Sequence, residues 1–487
     1  MKVAISTLGC KVNQYETQAM EQELRRRGHE IVDFSDAADA YVVNSCSVTA
    51  VSDRKSRQQL YRIRREHPAA VAALCGCYVQ THLDEVRKLD VDLLAGTGGR
   101  MEFLDRLESA VMEKQGLSGH APAEFVDQAL RRREFEILPA GGLEGRTRAM
   151  LKVEDGCVNF CSYCIIPYAR GPVRSLPLSQ AREEAKRLQD EGYREVVLTG
   201  IEISSWGQDF KNGQGLIDLM EGRASAAPEL RLRRGALEPR TVTEDFCRRA
   251  AALPQLCPQF HRPLQSGCDA TLKRMNRKYD TARFAQSVAL LNQYFEHPAI
   301  TTDLITGFPE ETEEEFAEPL AFLRHCGFAR LHVFPYSIRP GTPAAKMAQV
   351  PKAIKEERAR RAITLGRELH EKYMEKCIGQ VYPVLFEQPS GRHFSGHAPN
   401  YMEVLVDTKE DLHNRVLPVR ITGTEGDALL GEITECRPGS QGSAWTMIPL
   451  PSASTATGRR PTATSSWAGT APCSWTPGWG WGASGER

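Results

Sequence analysis

The chain lacks any apolar run of 18 or more residues and any charged, apolar and small-residue leader at its start. Neither a membrane-crossing helix nor an export signal is therefore expected, and a soluble, cytoplasmic protein is. Net charge is absent too: 62 basic and 62 acidic side chains cancel. Bulk charge thus neither favours nor excludes a nucleic-acid partner, and local patches must decide. Lysine and aspartate are missing from the last 43 residues, which hold five of the six tryptophans (Trp445, Trp467, Trp475, Trp479, Trp481). That stretch is dominated by Ser, Thr, Gly, Pro and Ala without periodicity, so 437–487 is expected to be a disordered tail without function. Fourteen cysteines with no secretory signal argue for metal or catalytic use rather than disulfides. At 487 residues the chain is long enough for two to four domains.

What is present is led by Cys157-Val-Asn-Phe-Cys161-Ser-Tyr-Cys164. The spacing C-x3-C-x2-C supplies three thiolates. A [4Fe-4S] cube with three protein ligands keeps one iron open. An open iron can chelate S-adenosylmethionine through its amine and carboxylate, and an electron from the cube can then cleave the sulfonium to a 5′-deoxyadenosyl radical. Phe160 and Tyr163 flank the second and third cysteines, where aromatics can shield a cluster. A zinc site would want two C-x2-C pairs, and no second pair follows.

The first hundred residues alternate strand and helix. Val3 to Leu8, Ala40 to Asn44 and Ala69 to Leu74 read as strands, with helices near Tyr15–Arg27, Asp53–Glu66 and Leu83–Lys88. The pattern predicts an α/β, doubly wound parallel sheet. Cys10, Cys46 and Cys77 each lie just beyond a strand. In such a sheet the carboxyl ends of the strands share one edge, so three thiols remote in sequence can converge and hold a second cluster with an open iron. Cys75 competes with Cys77, but it ends the strand whereas Cys77 follows Gly76 in the turn. Core cysteines, the bland alternative, should fall inside strands.

Residues 101–146 read as a charged connector, helical in its first part. From 147 to 376, six further strand-helix units (Ala149–Val153, Glu195–Leu198, Leu230–Arg233, Gln259–Pro263, Ile300–Ile305, Leu331–Phe334) predict a partial (β/α)6 barrel with its site at the carboxyl strand ends; a charged helix over 352–376 closes this stretch. Residues 377–436 carry short alternating strands, Val381–Phe386, Tyr401–Val406, Val416–Ile421 and Leu429–Glu435, which predict a small all-β barrel. Its His393, Lys409, His413, Arg415 and Arg420 are candidates for phosphate contact, weighed against a plain solvated surface.

These motifs resemble one family. Thr7-Leu-Gly-Cys-Lys-Val-Asn-Gln-Tyr-Glu-Thr17, Asn44-Ser-Cys-Ser-Val-Thr49 and Gly76-Cys-Tyr-Val-Gln80 resemble the N-terminal domain of radical SAM methylthiotransferases. Glu154-Asp-Gly-Cys157 through Arg174, Leu198-Thr-Gly-Ile201, Leu237-Glu-Pro239, Phe260 through Cys268, Asp303 through Pro309 and Tyr336 through Thr342 resemble their radical SAM domain. The C-terminal barrel resembles a TRAM domain, an RNA-binding module. The likeness spans about residues 2–436. Three substrate classes occur in the family: N6-threonylcarbamoyladenosine at position 37 of tRNA, isopentenyladenosine at the same position, and an aspartate of a ribosomal protein. The Leu-Gly-Cys-Lys-Val-Asn-Gln-Tyr-Glu form and the His332-Val-Phe-Pro-Tyr-Ser337 form resemble the first. Glu202, Trp206 and Arg262 depart from the pattern.

The resemblance implies a chemistry. Replacing the C2–H of adenine by C–SCH3 removes an unactivated hydrogen, which a radical can do and a side-chain base cannot. Two [4Fe-4S] clusters are implied, one on Cys157, Cys161 and Cys164, the other on Cys10, Cys46 and Cys77, the second carrying a sulfur species methylated by one S-adenosylmethionine. Another S-adenosylmethionine supplies the radical. Thr199, Gly200, Glu238, Gln265 and Ser266 are the candidate cofactor contacts, and Arg170 and Arg174 candidate partners for a carboxylate or phosphate. Asp303 is expected beneath the barrel mouth and Gly307 in a tight turn. Cys247, Cys257, Cys268, Cys326, Cys377 and Cys436 are expected to be non-ligands. The implied partners are the anticodon loop of tRNA and an electron donor such as flavodoxin or ferredoxin.

Overall fold

The computed structural model describes residues 1–116, 124–139, 141 and 147–434; the tail 437–487, Cys436 and part of the connector lie outside the described residues. The first sheet is wholly parallel. Its strands are β1 (Lys2–Thr7), β2 (Glu30–Val32), β3 (Ala40–Ser45), β4 (Val71–Gly76), β5 (Leu93–Ala95) and β6 (Glu124–Phe125), in the order β2-β1-β3-β4-β5-β6. Helices α1 (Lys11–Arg26), α2 (Ala50–Glu66), α3 (Cys77–Thr81), α4 (Leu83–Val86) and α5 (Arg100–Lys114) cover both faces. Met20 and Leu24 of α1 and Phe103, Leu104 and Leu107 of α5 pack on Val3, Val42 and Val71. Leu60 and Ile63 of α2 and Val79 of α3 pack on Ala4, Val43 and Leu74. β3, β4 and β5 are buried on both faces, which is why β3 and β4 read as unbroken apolar runs.

Three local expectations need correcting. The helix expected near 83–88 is the short α4, ending at Val86, and a further short helix, α3, precedes it, opened by Cys77, which was expected in a turn. The third strand starts two residues later than its apolar run suggests, at Val71, because Pro68 and the turn that follows it keep 68–70 out of the ladder. The connector is not only a link: it contributes the edge strand β6.

The central part places β7 (Arg148–Lys152), β8 (Glu154–Asp155), β9 (Arg174–Ser175), β10 (Glu195–Thr199), β11 (Arg231–Arg234), β12 (Gln259–Gln265), β13 (Ala299–Thr306) and β14 (Arg330–Pro335) in chain order. β11-β10-β7 and β12-β13-β14 are two three-stranded parallel sheets. A single bridge, Leu232 to Leu256, and a bond from Leu237 N to His261 O (2.9 Å) stitch them into one arc. Along the arc the side chains alternate. Ala149, Leu151, Val196, Leu198, Leu232, Phe260, Ile300 and Leu304 belong to the apolar core. The intervening positions Arg148, Lys152, Glu195, Arg233, His261, Thr301, Asp303 and His332 face the lumen, since residues level in a parallel register share a face.

The C-terminal part is a closed five-stranded barrel of β15 (Val381–Ser390), β16 (His393–His397), β17 (Glu403–Asp407), β18 (Val416–Glu425) and β19 (Ala428–Ile433), ordered β15-β16-β17-β19-β18. Strand β16 was absent from the expected set. Its His-Phe-Ser-Gly-His sequence carries little apolar signal, and only closure of the barrel recruits it. Among the described residues, no helix is long and apolar enough to cross a membrane.

Candidate functional site

Cys10 follows β1 and Cys46 follows β3. These neighbouring strands flank the point where strand order reverses, the crevice in which open α/β sheets bind ligands. Cys77 follows β4 next door. Two glycines let the loops meet. Gly9 has φ +104°, and a Cβ there would stand 2.5 Å from Cys46 Cβ; Gly76 has φ +100°, and a Cβ would stand 2.5 Å from Ser45 O. Asn13 Nδ2 donates to Leu8 O (2.9 Å) and Ser45 O (2.8 Å), tying the first loop to the second. Cys75 lies one residue inside the strand, among Val3, Val42 and Leu93. Burial pushes its thiol up to about 11.

The second triad sits on the loop after β8. Cys157 N donates to Gly171 O (3.0 Å), Ser162 N to Met275 O (3.0 Å) and Cys164 N to Cys161 O (3.0 Å). Arg277 Nη1 donates to Cys161 Sγ at 3.2 Å. Tyr163 packs edge-on against Phe308, while Phe160 and Tyr168 form an exposed edge-to-face pair at the loop tip.

The two triads face each other. Burial, then the neighbouring Cys161, raises the Cys164 thiol to about 12, and Cys77 adds to the shift from across the domain boundary. Burial raises Cys77 as well, while the Arg170 charge pulls it down. The same guanidinium holds Asn13 Oδ1 (2.7 Å) and pairs with Glu16. Glu16, wholly buried, also binds Arg100 (2.8 Å) and Lys152 (3.2 Å), and Asp155 binds Lys152 (2.8 Å) and Arg174 (3.3 Å). Burial disfavours the Glu16 anion, but Arg170, Arg100 and Lys152 win and hold its carboxyl well below the usual range. Four buried cations (Lys152, Arg100, Arg170, Arg174) face two carboxylates (Glu16, Asp155), a surplus of two positive charges beside Cys77. Neutral thiols leave that surplus unanswered; an iron–sulfur group on three thiolates would neutralise it. The charges beside the first triad therefore fit such a group, and the Arg277 donor to Cys161 Sγ (3.2 Å) suits one at the second.

A cavity of about 430 Å³ opens beside Val158 and Asn159 of the cysteine loop, lined also by Glu202, Ser204, Glu238 and Arg240. Glu238 salt-bridges Arg240 at 2.9 Å. Of the other cofactor candidates, Thr199 is buried with its carbonyl accepting from Val153 N (2.9 Å). Gly200 packs against Glu154. Gln265 ends β12 at φ +66°, and buried Ser266 Oγ accepts from Cys268 N (3.2 Å). None of these four lines the cavity. Glu202, one of the three departures from the family pattern, does. Buried Glu154 accepts from Glu202 N (2.7 Å) and so positions it. The other two departures have structural roles. Trp206 Nε1 donates to Leu176 O (3.0 Å), and Arg262 points away from the lumen to Ser287 Oγ (2.6 Å) and Leu237 O (3.1 Å).

The lumen floor is closed by the C-terminal barrel. Arg233 binds Glu195 (2.7 Å), donates to Pro399 O (3.1 Å) and stacks over Tyr401. Arg148 binds Glu387 (2.8 Å). Lys409, His413, Arg415 and Arg420 are exposed and His393 is half-buried on the same barrel.

A family model described as the uncharacterized protein family UPF0004 matches residues 2–96, and one described as the radical SAM superfamily matches residues 151–323. Threonylcarbamoyladenosine tRNA methylthiotransferase MtaB of Bacillus subtilis (strain 168) is 38% identical, covering 86% of this chain and 93% of that protein. tRNA-2-methylthio-N(6)-dimethylallyladenosine synthase of Syntrophotalea carbinolica is 31% identical over 88% and 98%. The structure of the radical S-adenosylmethionine methyltransferase TsrM from Kitasatospora setae shares the fold with a TM-score of 0.51 at 16% identity, over 81% of this chain and 80% of that one. The arc of strands and its cysteine loop thus define a radical SAM protein. More narrowly, the chain belongs to the radical SAM methylthiotransferases of the MtaB type.

Proposed function

We propose that this protein replaces the C2 hydrogen of N6-threonylcarbamoyladenosine at position 37 of tRNA with a methylthio group. The observation that carries the reading is the meeting of the loops of two cysteine triads from different domains, Asn13 Oδ1 accepting from Arg170 Nη2 of one (2.7 Å) and from Cys10 Sγ of the other (3.9 Å). Cys10, Cys46 and Cys77 would hold one [4Fe-4S] cluster, and Cys157, Cys161 and Cys164 the other. When bound, the clusters and two molecules of S-adenosylmethionine supply sulfur, methyl and a hydrogen-abstracting radical.

The chain's own residues do the rest. Arg170, Arg100 and Lys152 offset the negative charge of the buried thiolates. Arg277 donates to Cys161. Glu202 and Glu238 present carboxyl groups to the cavity beside the cysteine loop, where the amine and ribose hydroxyls of S-adenosylmethionine need acceptors. The substrate assignment is supported by the MtaB-named relative, at 38% identity against 31% for the dimethylallyl enzyme. The exposed cations of the C-terminal barrel suit RNA phosphates. A flavodoxin- or ferredoxin-type donor and a cytoplasmic location complete the reading.

The test is nucleoside mass analysis of tRNA from a deletion strain and its complement. Loss and return of the 2-methylthio form of threonylcarbamoyladenosine is the expected result. An undiminished level in the deletion strain, or loss of the isopentenyl counterpart instead, would sink it.

A further inference from the structure

The lumen wall holds a further cluster of metal-ligating side chains, none of them a cysteine and none lining the Glu202 cavity. His261, Asp303 and His332 stand on the adjacent strands β12, β13 and β14, with Asp303 and His332 level in the register. One ligand atom of each lies within 4.8 Å of the others. His261 Nε2 meets Asp303 Oδ2 at 3.1 Å, and its Nδ1 meets Thr301 Oγ1 at 3.0 Å. The second carboxylate oxygen, Asp303 Oδ1, is buried with no partner. Among the described residues the His332 imidazole makes no hydrogen bond, and its ring centre stands 5.9 Å from that of His261. All three side chains are half-buried, so the lumen leaves them a route to solvent.

A bare carboxylate–imidazole pair accounts for only one contact of this cluster. It leaves a buried anionic oxygen unanswered, which is costly, and an imidazole idle beside it. A cation shared by the three side chains answers both. Ligands on one ion with bonds of about 2.1 Å stand roughly 3–4 Å apart, the spacing that His261 Nε2 and Asp303 Oδ2 already have. His332, held by no hydrogen bond among the described residues, can turn to complete the set. Thr301 supplies outer support. Its hydroxyl can take the Nδ1 proton of His261, which leaves the Nε2 lone pair for the ion and fixes the ring. Two imidazoles and one carboxylate suit zinc or ferrous iron and leave a coordination position open. Calcium and magnesium want oxygen ligands and fit poorly. The floor arginines are engaged by carboxylates, Arg231 and Arg233 by Glu195 and Arg148 by Glu387.

We propose that His261, Asp303 and His332 bind a divalent transition-metal ion of the zinc or ferrous class, with an open position toward the lumen. The ion is a metal centre additional to the two clusters, with no cysteine among its ligands. Its open position takes an oxygen ligand, water in the resting protein. The site does not depend on which substrate the enzyme takes, so it stands or falls apart from the reading above.

The test uses the full-length protein after anaerobic reconstitution, when the cysteines of both triads are occupied. It is dialysed against zinc chloride and then against metal-free buffer. Zinc is the probe because it outranks ferrous iron for such donors. The wild type is expected to keep about one zinc per chain beside its iron, with imidazole and oxygen neighbours at roughly 2.0–2.1 Å in the zinc X-ray absorption spectrum. His261→Ala, Asp303→Ala and His332→Phe are each expected to lose the zinc and keep the iron. Thr301→Val retains all three ligands and should weaken zinc binding by about tenfold to a hundredfold. A wild type that retains no zinc overturns the inference. So does zinc held equally by the three ligand variants, and so does a sulfur neighbour at about 2.3 Å, which places the ion on a thiol. Iron content identifies a misfolded variant, and the wild-type spectrum needs no variant.

Discussion

Glu16 of the first domain and Arg170 of the radical SAM loop form a fully buried ion pair, joined in depth by Arg100 and Lys152. It lies between the two cysteine triads, since Arg170 also donates to Asn13 Oδ1 (2.7 Å), three residues from Cys10. Removing one member of a buried ionic network strands the others without solvent.

Glu16→Gln is therefore expected to lower stability by about 3–5 kcal/mol, read as a reduced denaturation midpoint in urea. A change below about 1 kcal/mol would mean that water or a rearranged partner replaces the carboxylate.

Iron counting tests the triads directly. After anaerobic reconstitution the wild type should carry about eight irons, and the Cys10→Ala, Cys46→Ala, Cys77→Ala variant about four, as two four-iron clusters require. A wild type and a variant that both hold about four would remove the second cluster.

Arg277 donates to Cys161 Sγ at 3.2 Å. Hydrogen bonds to cluster sulfurs favour the reduced, more negative state. Arg277→Met should leave iron content unchanged and shift one reduction potential to a more negative value, visible in an EPR-monitored redox titration. An unmoved potential would show that this contact has no electronic role.

Glu202 is the cavity carboxyl that the resemblance did not single out. Glu202→Gln removes one charged acceptor, so S-adenosylmethionine affinity in equilibrium dialysis should weaken by about tenfold or more. Unchanged affinity would move the cofactor away from this wall.

Burial pushes His332 down to about 4, against the pull of Asp303, with His261, Arg330 and Lys11 also lowering it. The unfolded chain binds that proton near 6.5, so between those values the unfolded state holds more protons and stability rises with pH. The contribution is complete above about 6.5 and lost as pH falls towards 4. His332→Gln should flatten the stability profile in that window; an identical profile would show that His332 titrates normally.

Much of this was legible in one dimension. The apolar runs at 40–45 and 71–76 and the turn chemistry after them announced a parallel sheet, and a strand-end position for Cys10, Cys46 and Cys77 followed. Local spacing exposed Cys157, Cys161 and Cys164. By contrast β16 escaped notice because its sequence His-Phe-Ser-Gly-His has only one large apolar residue, and it exists because the barrel must pair its edges. Arg277, Glu202 and Glu16 carried no local mark. A charged residue reads as surface until a partner remote in sequence, such as Arg170 at 154 positions from Glu16, is seen beside it.

The sequence by itself determined the kind of chemistry and the alternation of elements, because thiol spacing and hydrophobic period are local properties. Only the tertiary structure decided which charges are buried together and that the loops carrying the two triads meet through Arg170 and Asn13. Those relations depend on contacts between segments more than a hundred residues apart. They also depend on desolvation, which exists only once the chain has excluded water.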